Sequence, residues 1–331
     1  MAYTVAILGA TGAVGMEMKK ILEERDFPVG ELRLLASARS VGKQETFRGQ
    51  TITVQEACPE AFRGVQLVLG AAENDIAEAM APAIRAAGAV FVDNSSAFRL
   101  VPQVPLVVPE VNGEDVTRHQ GIISNPNCST IIALTAIAAL CRLSPVESMV
   151  ASTYQAVSGA GVGGIRQLKA EMEAGDTPIA PTTFPYQIAY NLIPQIGGEQ
   201  ESGYTSEEMK LQYEGRKILH LPELKVSCTC VRVPVVRSHS ISLRLKFKEP
   251  VSVEQARAAI AAAPGCRLVD DLAAKQYPMP LDTSNQDLVY VGRIREDLTD
   301  PNGLCLWCCG DQIRKGAATN AVQIGELLFP R

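Results

Sequence analysis

Tyr3-Thr-Val-Ala-Ile-Leu8 runs straight into Gly9-Ala-Thr-Gly12-Ala-Val-Gly15, and a helix-like stretch, residues 16–24, follows. A short apolar run, a glycine turn and a helix opening form a unit suited to cradling phosphate. Glycines allow the tight turn and bring backbone N–H groups up to a pyrophosphate at the positive end of the helix. The spacing is G-x-x-G-x-x-G rather than G-x-G-x-x-G, so the glycines alone would also suit a plain turn. Their place between strand and helix is what reads as a dinucleotide site. Gly9, Thr11, Gly12, Ala13, Val14 and Gly15 are its expected contacts. Outward from there, residues 32–36 read as a second strand, at whose end an NAD site usually carries an acidic residue for the ribose 2′-OH. Here the segment is Ala36-Ser37-Ala38-Arg39-Ser40, with no carboxylate. Ser37, Arg39 and Ser40 suit a 2′-phosphate, which favours NADP; the bland reading of Arg39 is a solvated loop cation. Residues 65–71 and 89–93 read as further strands, with an Ala-rich helix, 76–87, between them.

Alternating strands and helices argue for βαβ units and a parallel, Rossmann-type sheet in the first part of an α/β chain. The texture changes after about residue 145. Residues 149–157, 228–236 and 240–248 read as longer strands, 167–173 and 206–218 as helices, and the Pro-rich stretch 177–194 as an ordered crossing loop. That pattern suits a second, α+β domain with an antiparallel or mixed sheet. A length of 331 residues fits two domains at ~150 residues each. Hydrophobic residues are 47% and charged residues 20% of the chain, which excludes a disordered protein. Net charge is −5 without any basic block, which argues against nucleic acid as a partner. The longest apolar run, residues 131–141, has 11 residues, short of the ~20 that span a bilayer, so it reads as a buried helix and no membrane is expected. The N-terminus enters a strand with no basic region or cleavage site, so a cytoplasmic location is expected. Nine cysteines in a chain of this size are expected as reduced thiols.

The most informative of them lies in Ser124-Asn-Pro-Asn-Cys128-Ser-Thr-Ile. Pro126 disfavours helix at Asn125, and Asn127 is a good N-cap, so Cys128 falls in the first turn of the buried helix. A helix N-terminus lowers a thiol pKa and offers N–H groups to an oxyanion, the two needs of a thiol that attacks a carbonyl. Cys58, Cys141 and Cys266 read as inert core. Cys228-x-Cys230 and Cys305-x-x-Cys308-Cys309 have no histidine nearby, and no metal site is expected of them.

GATGAVG at 9–15, DNSSAFR at 93–99, SNPNCSTI at 124–131, YQAVSGAG at 154–161, EEMK at 207–210 and RVPVVRSHS at 232–240 together resemble aspartate-β-semialdehyde dehydrogenase, in order and over nearly the whole chain. The resemblance implies an NADP-dependent homodimer that reduces L-aspartyl-4-phosphate to L-aspartate-4-semialdehyde, with phosphate as the other small-molecule partner. The implied setting is the pathway to lysine, threonine, methionine and isoleucine. It implies residues 1–127 with 316–331 as an NADP-binding Rossmann domain, the final helix (317–328) returning to it. Residues 128–315 would be the catalytic and dimerisation domain, like the C-terminal domain of glyceraldehyde-3-phosphate dehydrogenase. Carried over by residue, Cys128 is the nucleophile, Gln155 orients substrate and His239 is the acid/base. Arg232 pairs with the substrate carboxylate and Glu207 contacts its amine, with Asn127 also on the substrate. Arg99 and Lys210 bind phosphate. Ser158, Gly159 and Gly161 lie beside the nicotinamide, and Asn320 contacts the cofactor.

Residue chemistry bears on these roles. Of three histidines, His119 reads as a surface residue and His220 as a packed loop residue, while His239, between a basic segment and a strand, is better placed for proton transfer. Arginine suits a carboxylate through its planar fork. With period 2, Arg237 and His239 share a strand face and Arg232 does not, unless Pro234 marks an edge or bulge that resets it; Arg237 is therefore the reserve. Arg99 and Lys210 also suit solvated surface cations, and Glu207 and Lys210, three apart on a helix, suit a simple salt bridge. Three enzyme alternatives stay open: an N-acetyl-γ-glutamyl-phosphate reductase, an acyl-CoA thioester reductase and a Cys–His thiol hydrolase. A non-catalytic NADP-binding protein is a further class, against which the presence of both Cys128 and His239 stands. An activated thiol among nine would also make activity sensitive to oxidation.

Overall fold

The chain divides into two units, residues 1–127 with 317–331 and residues 128–316. The computed structural model describes residues 2–175 and 177–330.

In the first unit, β1 (Tyr3–Leu8), α1 (Ala13–Glu24), β2 (Val29–Ala36), β3 (Gln55–Glu56), β4 (Leu67–Gly70), α2 (Asn74–Ala86), β5 (Val90–Asp93) and β6 (Ile122–Ser124) follow in chain order. The strands form one sheet in the order β3-β2-β1-β4-β5-β6, with every pair parallel. Both faces are covered, so the central strands are continuous apolar runs: Val5 to Leu8 and Leu67 to Leu69 are fully buried. The Gln44–Phe47 and Gln50–Thr53 strands pair as a separate hairpin. The C-terminal helix, Thr319–Leu328, belongs to this unit. Its Ala321, Val322 and Ile324 share a core with Ile21, Leu22 and Leu69.

The turn after β1 needs its glycines. Gly9 has φ +84, and a Cβ there would strike the Ala71 carbonyl. Gly12 is the N-cap of α1, so the helix starts at Ala13 rather than at the expected residue 16.

In the second unit come α3 (Cys128–Cys141), β7 (Val146–Ala156), α4 (Gly161–Ala174), α5 (Ser206–Ile218), β8 (Lys225–Val233), β9 (His239–Phe247), α6 (Val253–Ala261), β10 (Cys266–Leu268), β11 (Val289–Glu296) and β12 (Gly303–Gly310). They build a mixed sheet in the order β8-β7-β9-β12-β11-β10. The outer pairs β8/β7 and β10/β11 are parallel and the inner three antiparallel. Ser129 to Leu140 of α3 are buried on every side, and the helix packs on α5, α6 and the strands β9, β11 and β12. Among the described residues no helix is long and apolar enough to cross a membrane.

Candidate active site

Cys128 is the first residue of α3, where the N–H groups of the first turn have no intrahelical acceptor. Its Sγ stands 3.5 Å from His239 Nε2. His239 opens β9 and is fully buried. Its Nδ1 accepts the Ala156 N–H at 3.0 Å. An acceptor nitrogen carries no proton, so the neutral ring holds its proton on Nε2, the nitrogen nearest the sulfur. Burial first, then the Arg232 guanidinium, pushes the His239 pKa down to about 3, with Glu207 opposing. The ring is therefore neutral at ordinary pH.

The row that holds these groups crosses three strands. Arg232 on β8 is in register with Gln155 on β7, and His239 lies one residue beyond the Ser240–Tyr154 pair on the other side of β7. All three are buried. This corrects the single-strand period argument. β8 ends at Val233 and β9 begins at His239, and the link between them turns through Ser238 at φ +75. Arg232 and His239 thus belong to different strands, and one alternation does not govern both. The reserve residue Arg237 instead pairs with fully buried Asp311 at 2.6 Å.

Arg232 Nη1 donates to the Ala156 carbonyl at 2.7 Å. Burial pulls its pKa below the usual value, while Cys128 and Glu207 pull it up. Gln155 takes the Thr153 hydroxyl on its Oε1 at 3.0 Å, and its amide donates to Glu207 Oε1 at 3.3 Å. Lys210 Nζ donates to Glu207 Oε2 at 2.8 Å, so the salt bridge expected of that pair exists. The capping box that seats α5 uses Thr205 and Glu208, and Glu208 Oε1 also accepts the Cys230 N–H of β8 at 2.9 Å. Glu208 escaped sequence reasoning, although the T-x-x-E spacing before an apolar-periodic helix signals a capping box. Gly159 packs on the same row: a Cβ there would lie 2.8 Å from Arg232 Nη1 and 3.2 Å from His239 Cε1. The hydroxyl of Ser158 accepts from the Gln312 amide, and Gly161, at φ +71, opens α4.

In the first unit, Thr11 and Ser40 hydroxyls meet at 3.3 Å. Ser37 and Arg39 are exposed at the end of β2. Arg99 is buried rather than solvated, its Nε donating to the Asn125 carbonyl at 3.0 Å and its Nη2 to the Asn94 carbonyl at 2.7 Å. Asn320 is fully buried; its amide donates to Asn125 Oδ1 at 2.7 Å and to the Val107 carbonyl at 2.9 Å. The Asn125 amide in turn reaches Asn94 Oδ1 at 2.7 Å. This run of asparagines across the ends of β5 and β6 was missed as a set, though Asn94 and Asn125 sit in the quoted motifs. Asn127, the last residue of the unit, is also buried. His119 is half-buried and accepts the Gly121 N–H through Nδ1 at 3.0 Å. In the second unit, His220 is exposed at φ +55 rather than packed.

Of the remaining thiols, Cys228, Cys230, Cys266, Cys308 and Cys309 are buried, whereas Cys305 and two of the three expected in the core, Cys58 and Cys141, are half-buried. Burial drives Cys141 up to about 12 and Cys308 well above its usual value. Among the described residues, no three His, Cys, Asp or Glu side chains are placed to hold a metal ion.

Residues 4–119 match the semialdehyde dehydrogenase NAD binding domain, and residues 137–315 match the semialdehyde dehydrogenase dimerisation domain. The chain is 51% identical over 330 residues to the aspartate-semialdehyde dehydrogenase of Synechocystis sp., covering 99% of this chain and 97% of that one. It is 46% identical over 334 residues to that of Bacillus subtilis, covering 98% and 96%. Aspartate semialdehyde dehydrogenase II from Vibrio cholerae, solved in complex with ASA, superposes with a TM-score of 0.95 at 42% identity, covering 99% and 98%. The Candida albicans enzyme, solved with NADP, superposes at 0.77 and 26% identity, covering 99% and 98%. Matched in both units and along almost its full length, the chain belongs to the aspartate-semialdehyde dehydrogenase family.

Proposed function

We propose that the chain catalyses the NADPH-dependent reductive dephosphorylation of L-aspartyl-4-phosphate to L-aspartate-4-semialdehyde through a thioester on Cys128. The observation that carries this is the 3.5 Å approach of Cys128 Sγ to the buried Nε2 of His239, with Nδ1 tied to a backbone N–H.

The thiolate attacks the acyl carbon, the C–S bond forms, and the C–O bond to phosphate breaks; the departing phosphate takes one proton from water. Bound NADPH supplies the hydride that the thioester carbon receives. His239 Nε2–H donates to the oxygen on which charge then develops, a preorganised donor of the oxyanion-hole kind. Re-forming the C=O bond expels the Cys128 thiolate and releases the aldehyde. Arg232 pairs with the α-carboxylate, for which a guanidinium desolvated by burial is well matched. Glu207 takes the α-ammonium, with Gln155 and Asn127 orienting the substrate, and Arg99 and Lys210 are the phosphoryl cations. A carboxylate for a free ammonium weighs against an N-acetylated substrate.

The nucleotide loop suits a dinucleotide because a Cβ at Gly9 or Gly15 would strike the backbone, while the first-turn residues Ala13 and Val14 present open N–H groups beside Thr11 and Gly12. Ser37, exposed Arg39 and Ser40 in place of a carboxylate support NADP over NAD. Ser158, Gly159 and Gly161 would border the nicotinamide. Asn320 would act on the cofactor by holding Asn125, since its own amide is committed inside the unit.

The test is turnover of L-aspartate-β-semialdehyde with phosphate and NADP, followed by absorbance of the reduced cofactor. Turnover is expected to require phosphate, to vanish in Cys128→Ala, and to show a weaker NADP-over-NAD preference in Arg39→Ala. Activity independent of phosphate, or surviving in Cys128→Ala, would sink the thioester route; turnover of only the N-acetylated substrate would move the assignment there.

A further inference from the structure

Arg232 is held by more than the Ala156 carbonyl. The Phe184 ring lies over its guanidinium, 5.6 Å from carbon to centroid. The backbone of Arg232 is bridged both ways to Ile193, its N–H donating at 2.8 Å and its carbonyl accepting at 3.1 Å. Both partners belong to the Pro-rich segment 177–194, which has no regular structure of its own. Two buried side chains of α4 hold that segment. Gln167 Oε1 accepts the N–H groups of Thr182, Thr183 and Phe184 at 3.1, 2.7 and 2.9 Å. Glu171 Oε2 accepts those of Ile188 and Ala189 at 2.9 and 2.7 Å, and Gln167 and Glu171 bond each other at 2.7 Å. A single amide oxygen taking three backbone donors sets where Phe184 sits. The bare Gly164 leaves room for the ring, since a Cβ there would lie 3.0 Å from its Cζ.

We infer that Phe184 is a positioning residue for Arg232, and that Gln167 and Glu171 set the loop that carries it. The inference rests on the reading of Arg232 as the carboxylate clamp. A ring over one face of a guanidinium leaves the in-plane N–H edge as the direction of donation, and one of those donors is already committed to Ala156. Packing from the segment thereby turns a flexible arginine into a fork of fixed aim. The long loop, read from sequence as a mere crossing, becomes the element that sets affinity for the substrate's carboxylate end.

The test is steady-state kinetics with L-aspartate-β-semialdehyde, phosphate and NADP. Phe184→Leu should raise KM for the semialdehyde about fivefold, the worth of one cation–π contact, with kcat within about twofold. KM for phosphate and NADP should stay put, and Phe184→Tyr should restore wild-type behaviour. Gln167→Leu, which keeps the ring but frees the loop, should raise the same KM, and serves should Phe184→Leu fold poorly. In an Arg232→Lys background, Phe184→Leu should add little. If Arg232→Lys itself leaves the semialdehyde KM unchanged, the clamp reading fails, and the inference with it. If Arg232→Lys raises that KM but Phe184→Leu and Gln167→Leu do not, or if the Phe184 and Arg232 effects simply multiply in the double variant, the inference alone is overturned.

Discussion

His239 has no exposed surface, and the Ala156 N–H occupies its Nδ1. Burial penalises the charged ring first, and a cation there would sit beside Arg232, which together account for a pKa pushed down to about 3. The unfolded chain, with an ordinary value of 6.5, binds a proton the folded chain refuses. The sign follows: this residue's share of stability is complete above about pH 6.5 and is lost as pH falls toward 3. At pH 5 the loss amounts to about 2 kcal/mol. Urea unfolding at pH 7 and pH 5 should show the wild type weakening by roughly that much more than His239→Gln, which cannot titrate; equal losses in the two proteins would mean the ring is not held neutral. At this scale Cys128 was readable because Pro126 and Asn127 mark a helix start in adjacent sequence. The different placements of Arg232 and Arg237 were not readable from residue chemistry, since they depend on where β8 ends and on Asp311, 74 positions away from Arg237.

α5 carries Glu207 and Lys210, and one of its residues both caps it and ties it to β8. Glu208 closes the capping box on the Thr205 N–H with Oε2 at 2.7 Å and accepts the Cys230 N–H with Oε1. Glu208→Ala removes a cap and orphans a buried strand donor, so unfolding free energy should fall by about 2–4 kcal/mol, against about 1 kcal/mol for Thr205→Ala. Urea denaturation separates them, and equal losses would show that the bond to Cys230 contributes nothing. Elements with local signals were legible: β1 with its glycine turn, and α5, found where the periodicity puts it. β11 and β12 were not. In β12 the spacing of Cys305, Cys308 and Cys309 invites a metal reading, whereas adjacent Cys308 and Cys309 are fully buried and Cys305 half-buried on a central strand, one of whose partners, β9, lies far off in sequence. The segment 177–194 was opaque for the same reason, its hydrogen-bond partners being the side chains of a preceding helix.

The dimerisation match covers the second unit, and the chain pairs with a second copy of itself. The exposed face of its sheet is where that pairing is expected. On β7, Met149, Ala151 and Thr153 are buried under the helices, while Val150 and Tyr154 on the opposite face are 45% and 37% exposed. Tyr154 packs on Trp307 of β12, with ring centroids 5.4 Å apart. Ser152 and Ser242 sit opposite each other on β7 and β9, on that same face. A wide sheet face of small and aromatic residues, with Arg244 opposite Val150, is a surface that a second copy can cover, and self-complementary pairing across a twofold axis needs only that one face. Trp307 is the chain's only tryptophan, so it reports on the contact. Paired Val150→Asp and Tyr154→Asp changes should place like charges across the axis, yielding monomers in sedimentation and a red-shifted Trp307 emission. A variant that remains dimeric with unshifted emission would place the interface on another face of the unit.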